Sequence, residues 1–137
     1  MIGIKTAAIF AILVAQCLGQ SHTTSAGAPL RDRIPSPDRK RYEAVESAKD
    51  WKNPFLIVRR DGIEVVGVTH GRAIVVESVL SELEDLPAST WPYGLVVAVQ
   101  ENGVRSNGDA RLIAANRTRL IKLLKRVGIA VENWPSA

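Results

Sequence analysis

The sequence predicts an α+β fold in two layers, with helices packed on a small mixed β-sheet. Three observations predict this class: an apolar run at residues 55–58 precedes an Asp61-Gly62 turn, residues 77–86 carry apolar side chains at helical spacing, and the C-terminal part places strand patterns on both sides of a helix pattern. An Asp-Gly turn favours a β-hairpin, and a strand, helix, strand order favours a parallel pair. The chain of 137 residues suits a single domain.

The N-terminus is predicted to be a targeting segment. Residues 6–18 form an almost unbroken apolar run behind one positive charge. This run is shorter than the roughly 20 residues of a membrane span and is typical of a secretory signal peptide. We expect a signal peptide at residues 1–19, cleaved near Gly19 or alternatively after Ala28, and export to the periplasm or out of the cell. An uncleaved membrane anchor is the competing interpretation.

A flexible linker is predicted to follow at residues 20–37, which are rich in Ser, Thr, Ala, Gly and Pro. The α/β domain is then expected to span residues 38–137. The chain's single cysteine is Cys17, so the sequence predicts no disulfide framework or thiolate metal site in the mature protein. Lipidation of Cys17 is an alternative, although Gln16 stands where a lipoprotein cleavage box has a small residue.

The first half of the domain is predicted to contain a helix and a hairpin. Residues 36–49 indicate a short helix, because Ser36 can cap it and apolar side chains recur at helical spacing. The branched run at 55–58 predicts a strand, and residues 63–68 are the expected returning strand. A second turn is predicted at His70-Gly71.

Two helices and two strands are predicted after that turn. Residues 77–86 indicate an acidic amphipathic helix, with its apolar stripe at Val79, Leu80, Leu83 and Leu86. The apolar run 95–99 predicts a buried strand, and residues 129–131 predict the last one. Between them, residues 109–127 indicate a long helix ended by Gly128, with its inward stripe at Leu112, Asn116, Leu120, Leu123, Leu124 and Val127.

No catalytic or metal-binding motif is found in the sequence, and we expect no cofactor. His22 falls in the linker and His70 in a turn, without a predicted partner acid. The acidic residues Glu82, Glu84 and Asp85 are typical of a solvated helix face. An alternative hypothesis is a small hydrolase that uses carboxylates such as Glu101 or Asp109 near the end of the strand at 95–99, where ligands of open α/β sheets bind.

The basic helix is the strongest indication of binding. It carries six cations against the single acidic residue Asp109, in a chain of net charge +4. Such a face can bind an anionic envelope component or an acidic partner, while the alternative interpretation is a solvated outer face. The candidate binding residues on this helix are Arg119, Lys122, Lys125 and Arg126.

The loop Trp91-Pro92-Tyr93-Gly94 supplies two further candidate binding residues. Trp91 and Tyr93 either form a recognition loop, because Trp and Tyr dominate binding energy when a partner buries them, or close the core. Trp51 and Trp134 are expected to close the two ends of the domain.

Four stretches resemble the periplasmic domain of the ExbD/TolR biopolymer-transport family: residues 57–65 with their Asp61-Gly62 turn, 75–86, 95–99, and 120–131 with Val127-Gly128-Ile129. The resemblance implies a small periplasmic fold that self-associates. Members of that family carry an acidic residue in a membrane-spanning helix. Here the first acidic residue is Asp32, in the predicted linker, so the energising role is not carried over.

Together these observations predict an exported bacterial-type protein that acts as a non-catalytic interaction or scaffolding module of the cell envelope. Its expected partners are another envelope protein, or a second copy, bound through a strand edge or through the oppositely charged helices. An anionic envelope component is a further expected partner, and nucleic acid is not expected. Besides the hydrolase, the alternative is a membrane-anchored accessory protein of ExbD/TolR type.

Overall fold

The computed structural model describes residues 28–136, and the predicted signal peptide, the first part of the predicted linker, Cys17 and His22 lie outside them. The strands are β1 (Phe55–Arg59), β2 (Gly62–Val65), β3 (Val96–Glu101) and β4 (Ala130–Trp134). The α-helices are α1 (Leu30–Arg33), α2 (Val79–Glu84) and α3 (Asn107–Arg126). Short 3-10 turns lie at Arg39–Arg41, Ala48–Asp50, Val76–Ser78 and Ala88–Thr90.

The sheet is mixed and open, in the order β2-β1-β3-β4. β1 pairs antiparallel with β2, while β1 with β3 and β3 with β4 are parallel. The α+β class, the hairpin, the acidic helix and the C-terminal strand, helix, strand unit are therefore confirmed. The helices of the described residues include none that is both long and apolar enough to cross a bilayer.

The hairpin turns one residue earlier than its sequence suggests. Arg59 pairs with Gly62, so the two turn residues are Arg60 and Asp61. Gly62 has φ +143° and lies so close to the next segment that a Cβ would stand 2.2 Å from the Ile74 carbonyl oxygen. Glycine is needed there because other residues are strained at this φ and have no room.

Two hydrophobic clusters lie on opposite faces of the sheet, since successive strand residues point to opposite sides. On one face, Leu56 and Val58 of β1 pack with the helices. On the other face, Phe55 packs with an aromatic group that includes Tyr42, Trp51, Tyr93 and Trp134. The rings meet mostly edge to face, with centroids 5.0 Å apart for Trp51 and Tyr93, an arrangement that aromatic pairs favour.

The helix predicted at residues 36–49 is wrong, because the chain forms two separate 3-10 turns there. The side chain of Asp38, rather than Ser36, caps the first turn by accepting from the Lys40 N–H. The Asp38 N–H itself donates to the Tyr93 carbonyl at 2.9 Å. Tertiary bonds and the burial of Tyr42 thus replace a continuous helix.

The packed domain begins earlier than predicted, and the linker prediction is wrong for residues 28–37. Leu30 and Ile34 are each 3% exposed and belong to the helix-side core. The Leu95 N–H donates to the Pro35 carbonyl at 2.8 Å, and a Cβ on Gly94 would stand 2.4 Å from the Ser36 carbonyl oxygen. Two apolar residues, four apart in a polar segment, hold it against the core together with these backbone contacts.

Several predicted boundaries also shift. β2 ends at Val65 because Thr69 folds back, donating its N–H to the Val65 carbonyl at 3.0 Å. β4 extends to Trp134, and its polar residues are tolerated at the edge of the sheet. The stripe of α3 is centred on Ile113, Leu120 and Leu124, so Leu112 points away and is 51% exposed.

The side chain of Asn53 connects the segments that start β1 and β3. Asn53 is 5% exposed; its Nδ2 donates to the carbonyls of Gly94 and Val96 at 2.7 and 2.8 Å, and its Oδ1 accepts from the Tyr93 N–H at 2.9 Å. Buried polar groups are stable only when they are hydrogen-bonded. Asn53 therefore provides partners for the Tyr93 N–H and the Val96 carbonyl, and a second donor for the Gly94 carbonyl, which also accepts from the Val96 N–H.

The substitution Leu30→Ala is expected to lower the free energy of unfolding by about 2–4 kcal/mol, since it leaves a cavity in the core. The matched control is Leu112→Ala, at an exposed helical position, which is expected to change it by less than about 0.5 kcal/mol. Urea denaturation of both variants measures the difference. If both variants lower the free energy of unfolding by equally small amounts, residues 28–37 form the flexible linker that the sequence predicts.

The substitution Asn53→Ala is expected to lower the free energy of unfolding by at least about 2 kcal/mol, because it leaves buried backbone groups without partners. Asn53→Asp is expected to be no milder, since a carboxylate cannot donate to two carbonyls. Asn102→Ala, at an exposed position, is the control. A small change in the free energy of unfolding for Asn53→Asp would show that the two hydrogen bonds donated by this amide are dispensable.

Candidate functional site

The α3 helix exposes a cationic surface. Its N-terminus is capped by Ser106, whose Oγ accepts from the Asp109 N–H at 3.1 Å, and Gly128 with φ +81° ends it. Its buried residues Ile113, Leu120 and Leu124 fix the helix on the sheet, which turns the opposite side of the helix to solvent.

The six cations of α3 divide into two groups. Arg117 contacts Glu101 at 3.6 Å and donates to the Asn133 side chain, while Arg119 pairs with Glu77. The four others are exposed and have no acidic group within 4.0 Å among residues 28–136. We call these four the cationic face: Arg111, Lys122, Lys125 and Arg126.

Helix geometry gathers the cationic face into one patch. At 100° and 1.5 Å per residue, the four side chains start within an arc of about 100° and over a length of about 22 Å. Three of the predicted binding residues, Lys122, Lys125 and Arg126, belong to this face, whereas Arg119 is held at its side by Glu77. A shallow groove of about 230 Å³ lies between Arg119, Lys122, Arg126 and the turn at Val76.

The aromatic candidates are in the interior. Trp91 and Tyr93 are 3% and 7% exposed, and the Tyr93 hydroxyl donates to the Asp50 carbonyl at 3.2 Å while accepting from the Lys52 N–H at 3.1 Å. The positions of Trp91 and Tyr93 agree with closure of the core and not with a recognition loop, because both rings are buried. Trp51, expected at one end of the domain, is also buried in this cluster.

The acidic residues considered for catalysis lie on or next to three different elements. Glu82 is half-buried on α2, while Glu84 and Asp85 are exposed. Glu101 is bound to Arg117, and Asp109 is bound to Arg60 at 3.4 Å. His70 is exposed in its turn with φ 54°, and among residues 28–136 it forms no ion pair with an acidic side chain.

A cleft of about 470 Å³ lies beside the carboxyl ends of β1 and β3, as expected for an open α/β sheet. Its charged lining consists of Arg59, Arg60, Asp61, Arg105 and Asp109. Arg59 contacts Asp61 at 3.3 Å, so most of these charges neutralise each other. Residues 28–136 contain no cluster of three or more His, Cys, Asp and Glu side chains that would hold a metal ion.

One site was missed by sequence reasoning. A groove of about 280 Å³ on the sheet face opposite α3 combines aromatic rings with three acidic residues, and we call it the acidic groove. It is lined by Tyr42, Glu43, Val45, Glu46, Trp51, Glu132, Asn133, Trp134 and Pro135. The spacing of Glu43 and Glu46 was visible in the sequence, but their approach to Glu132 depends on the tertiary fold.

The charged residues that line the acidic groove are all carboxylates. Glu43, Glu46 and Glu132 have no cationic group within 4.0 Å in the described part of the chain. Burial, reinforced by the Glu132 carboxylate and partly opposed by the Arg39 guanidinium, raises the pKa of Tyr42 above its usual value. Tyr42 therefore remains a neutral aromatic wall at neutral pH.

Comparison of the chain with protein-family models, with curated proteins and with solved structures finds no match. The resemblance to the ExbD/TolR family thus stays a prediction.

The Arg119–Glu77 pair is expected to contribute less than about 1 kcal/mol of coupling energy, because both side chains are more than half exposed. A double-mutant cycle with Arg119→Ala and Glu77→Ala measures this. The matched cycle on the less exposed pair of Arg117 and Glu101 should give a larger coupling. A larger coupling energy for Arg119 and Glu77 than for Arg117 and Glu101 would show that Arg119 stabilises the fold.

Proposed function

We propose that this chain is an exported, non-catalytic interaction module of the cell envelope that binds anionic lipid headgroups through its cationic face. The single observation that carries the proposal is the set of four exposed, unpaired cations on one side of α3, within the described residues. Export is supported by the pattern at residues 1–19.

The shape of this surface favours a headgroup layer over a discrete ligand. The cations extend along the outside of a helix about 30 Å long, and the neighbouring groove holds only about 230 Å³. Each Lys or Arg near an anionic membrane surface contributes about 1 kcal/mol of binding. The exposed Leu112 on the same helix offers an apolar contact at the headgroup boundary.

Nucleic acid fits this surface less well. Base stacking needs aromatic side chains beside the cations, and the sequence of α3 contains none. The exported location that we propose would also separate the protein from cytoplasmic nucleic acid.

A second candidate function is the small carboxylate-dependent hydrolase. One observation favours it: the cleft that Asp109 lines lies beside the carboxyl ends of β1 and β3, where ligands of open α/β sheets bind. We rank it second because Asp109 is held by Arg60 and Glu101 by Arg117, which leaves both carboxylates engaged.

The ExbD/TolR-like accessory protein is the third proposal, and it requires that the apolar segment at residues 1–19 remain attached as an anchor. Intact mass and membrane fractionation after bacterial expression separate it from the exported form. A soluble chain starting near Gln20 supports export, whereas a full-length chain extracted only by detergent supports the anchor.

The double variant Lys122→Glu/Arg126→Glu is expected to weaken binding to vesicles of phosphatidylglycerol and phosphatidylcholine at least tenfold, because it reverses two charges of the cationic face. Binding should also fall with added salt. Vesicle co-sedimentation of the purified protein measures both effects.

The control for this experiment is Lys52→Glu/Arg72→Glu, which makes the same charge change at exposed positions outside α3. It should bind much more tightly than the α3 variant. If both variants lose vesicle binding equally, the effect comes from net charge and not from the cationic face. A wild-type protein that does not bind anionic vesicles would overturn the proposal.

A further inference from the structure

The outer edge of β4 is unpaired in the part of the chain that the structure describes. β4 is the last strand of the sheet, and its Ala130 N–H donates inward to the Leu95 carbonyl at 3.1 Å. Since alternate residues of a parallel strand bond to the same neighbour, the backbone groups of Val131 and Asn133 face outward. An edge of this kind accepts an added strand.

The opposite edge of the sheet, formed by β2, is partly paired with another segment of the chain. β2 is covered by a short bridge in which Ile63 and Ile74 exchange two backbone hydrogen bonds of 2.8 Å each. Covering an edge in this way prevents strand addition. Among residues 28–136, the β4 edge is thus the one left available to a partner strand.

The acidic groove runs beside this same edge, because Glu132, Asn133 and Trp134 belong both to β4 and to the groove lining. Its aromatic wall is held in place by edge-to-face contacts, with Trp51 and Trp134 centroids 6.0 Å apart. Aromatic faces together with carboxylates attract a cationic side chain through cation–π and ionic contacts. The volume of about 280 Å³ accommodates one long side chain and is smaller than the roughly 300–1,000 Å³ of small-molecule pockets.

We propose that the β4 edge binds an extended basic segment of a partner protein as a fifth strand, with one Lys or Arg side chain inserted in the acidic groove. The backbone of Val131 and Asn133 supplies the strand hydrogen bonds, and Glu43, Glu46 and Glu132 select the cation. This site is separate from the cationic face, which lies on α3 on the other side of the sheet.

Charge argues against a second copy as the occupant. A symmetric dimer makes the same contact from both sides, and full antiparallel overlap of two β4 strands would place Glu132 of each copy opposite the other. Like charges directly opposite each other destabilise a strand pair. A basic segment instead complements the carboxylates of the groove.

The test uses a fluorescently labelled peptide of alternating valine and threonine with one central lysine, titrated with the purified protein and followed by anisotropy. We expect saturable binding that is at least tenfold weaker for the same peptide with a central glutamate. Methylation of alternate backbone nitrogens on its pairing edge should abolish binding, because it removes the strand hydrogen bonds.

The variant Glu46→Gln/Glu132→Gln is expected to weaken binding of the lysine peptide at least tenfold, whereas Glu84→Gln/Asp85→Asn, at exposed positions on or next to α2, should leave it unchanged. Equal affinities for lysine and glutamate peptides, or unchanged binding after backbone methylation, would overturn the proposal. Detection by analytical ultracentrifugation of a protein dimer that excludes the peptide would also overturn the proposal, because the second copy would then occupy the edge.

Discussion

The amide of Asn53 is the constraint on which the arrangement of the sheet depends. Its three hydrogen bonds join the residue two positions before β1 to the backbone of Tyr93, Gly94 and Val96. β1 and β3 are parallel neighbours that are distant in sequence, so no hairpin turn sets their register. Asn53 aligns their starting points, and the carboxyl ends of both strands then meet at the opposite end of the sheet.

The same alignment determines which surfaces the domain offers. With β1 and β3 in register, Phe55 and Ala98 face the aromatic cluster while Leu56 and Val99 face the helices. The helix side is sealed by α1, α2 and α3, which leaves charge on the outside of α3. The aromatic side is covered by loops and short 3-10 turns, and a groove remains between Tyr42 and Trp134.

The parts of the fold with local signals were predictable from the sequence, and the parts held by tertiary contacts were not. A few neighbouring residues predict strand β1, the hairpin and the end of α3 at Gly128. Leu30 and Ile34, by contrast, are two apolar residues in a polar stretch, and only the tertiary structure shows that both are packed in the core. The cations of α3 were found from the sequence, but which of them are engaged depends on Glu77 and Glu101.

The net charge of +4 conceals a separation of charge across the sheet. The cations of α3 lie on one face and the carboxylates of the acidic groove on the other, so attraction to one kind of surface does not occupy the other. Were the two groups adjacent, they would pair with each other, as Arg119 and Glu77 do, and both would be lost to partners. A four-stranded sheet between them keeps the two sets of charges apart, so the two binding sites that we propose would not compete with each other.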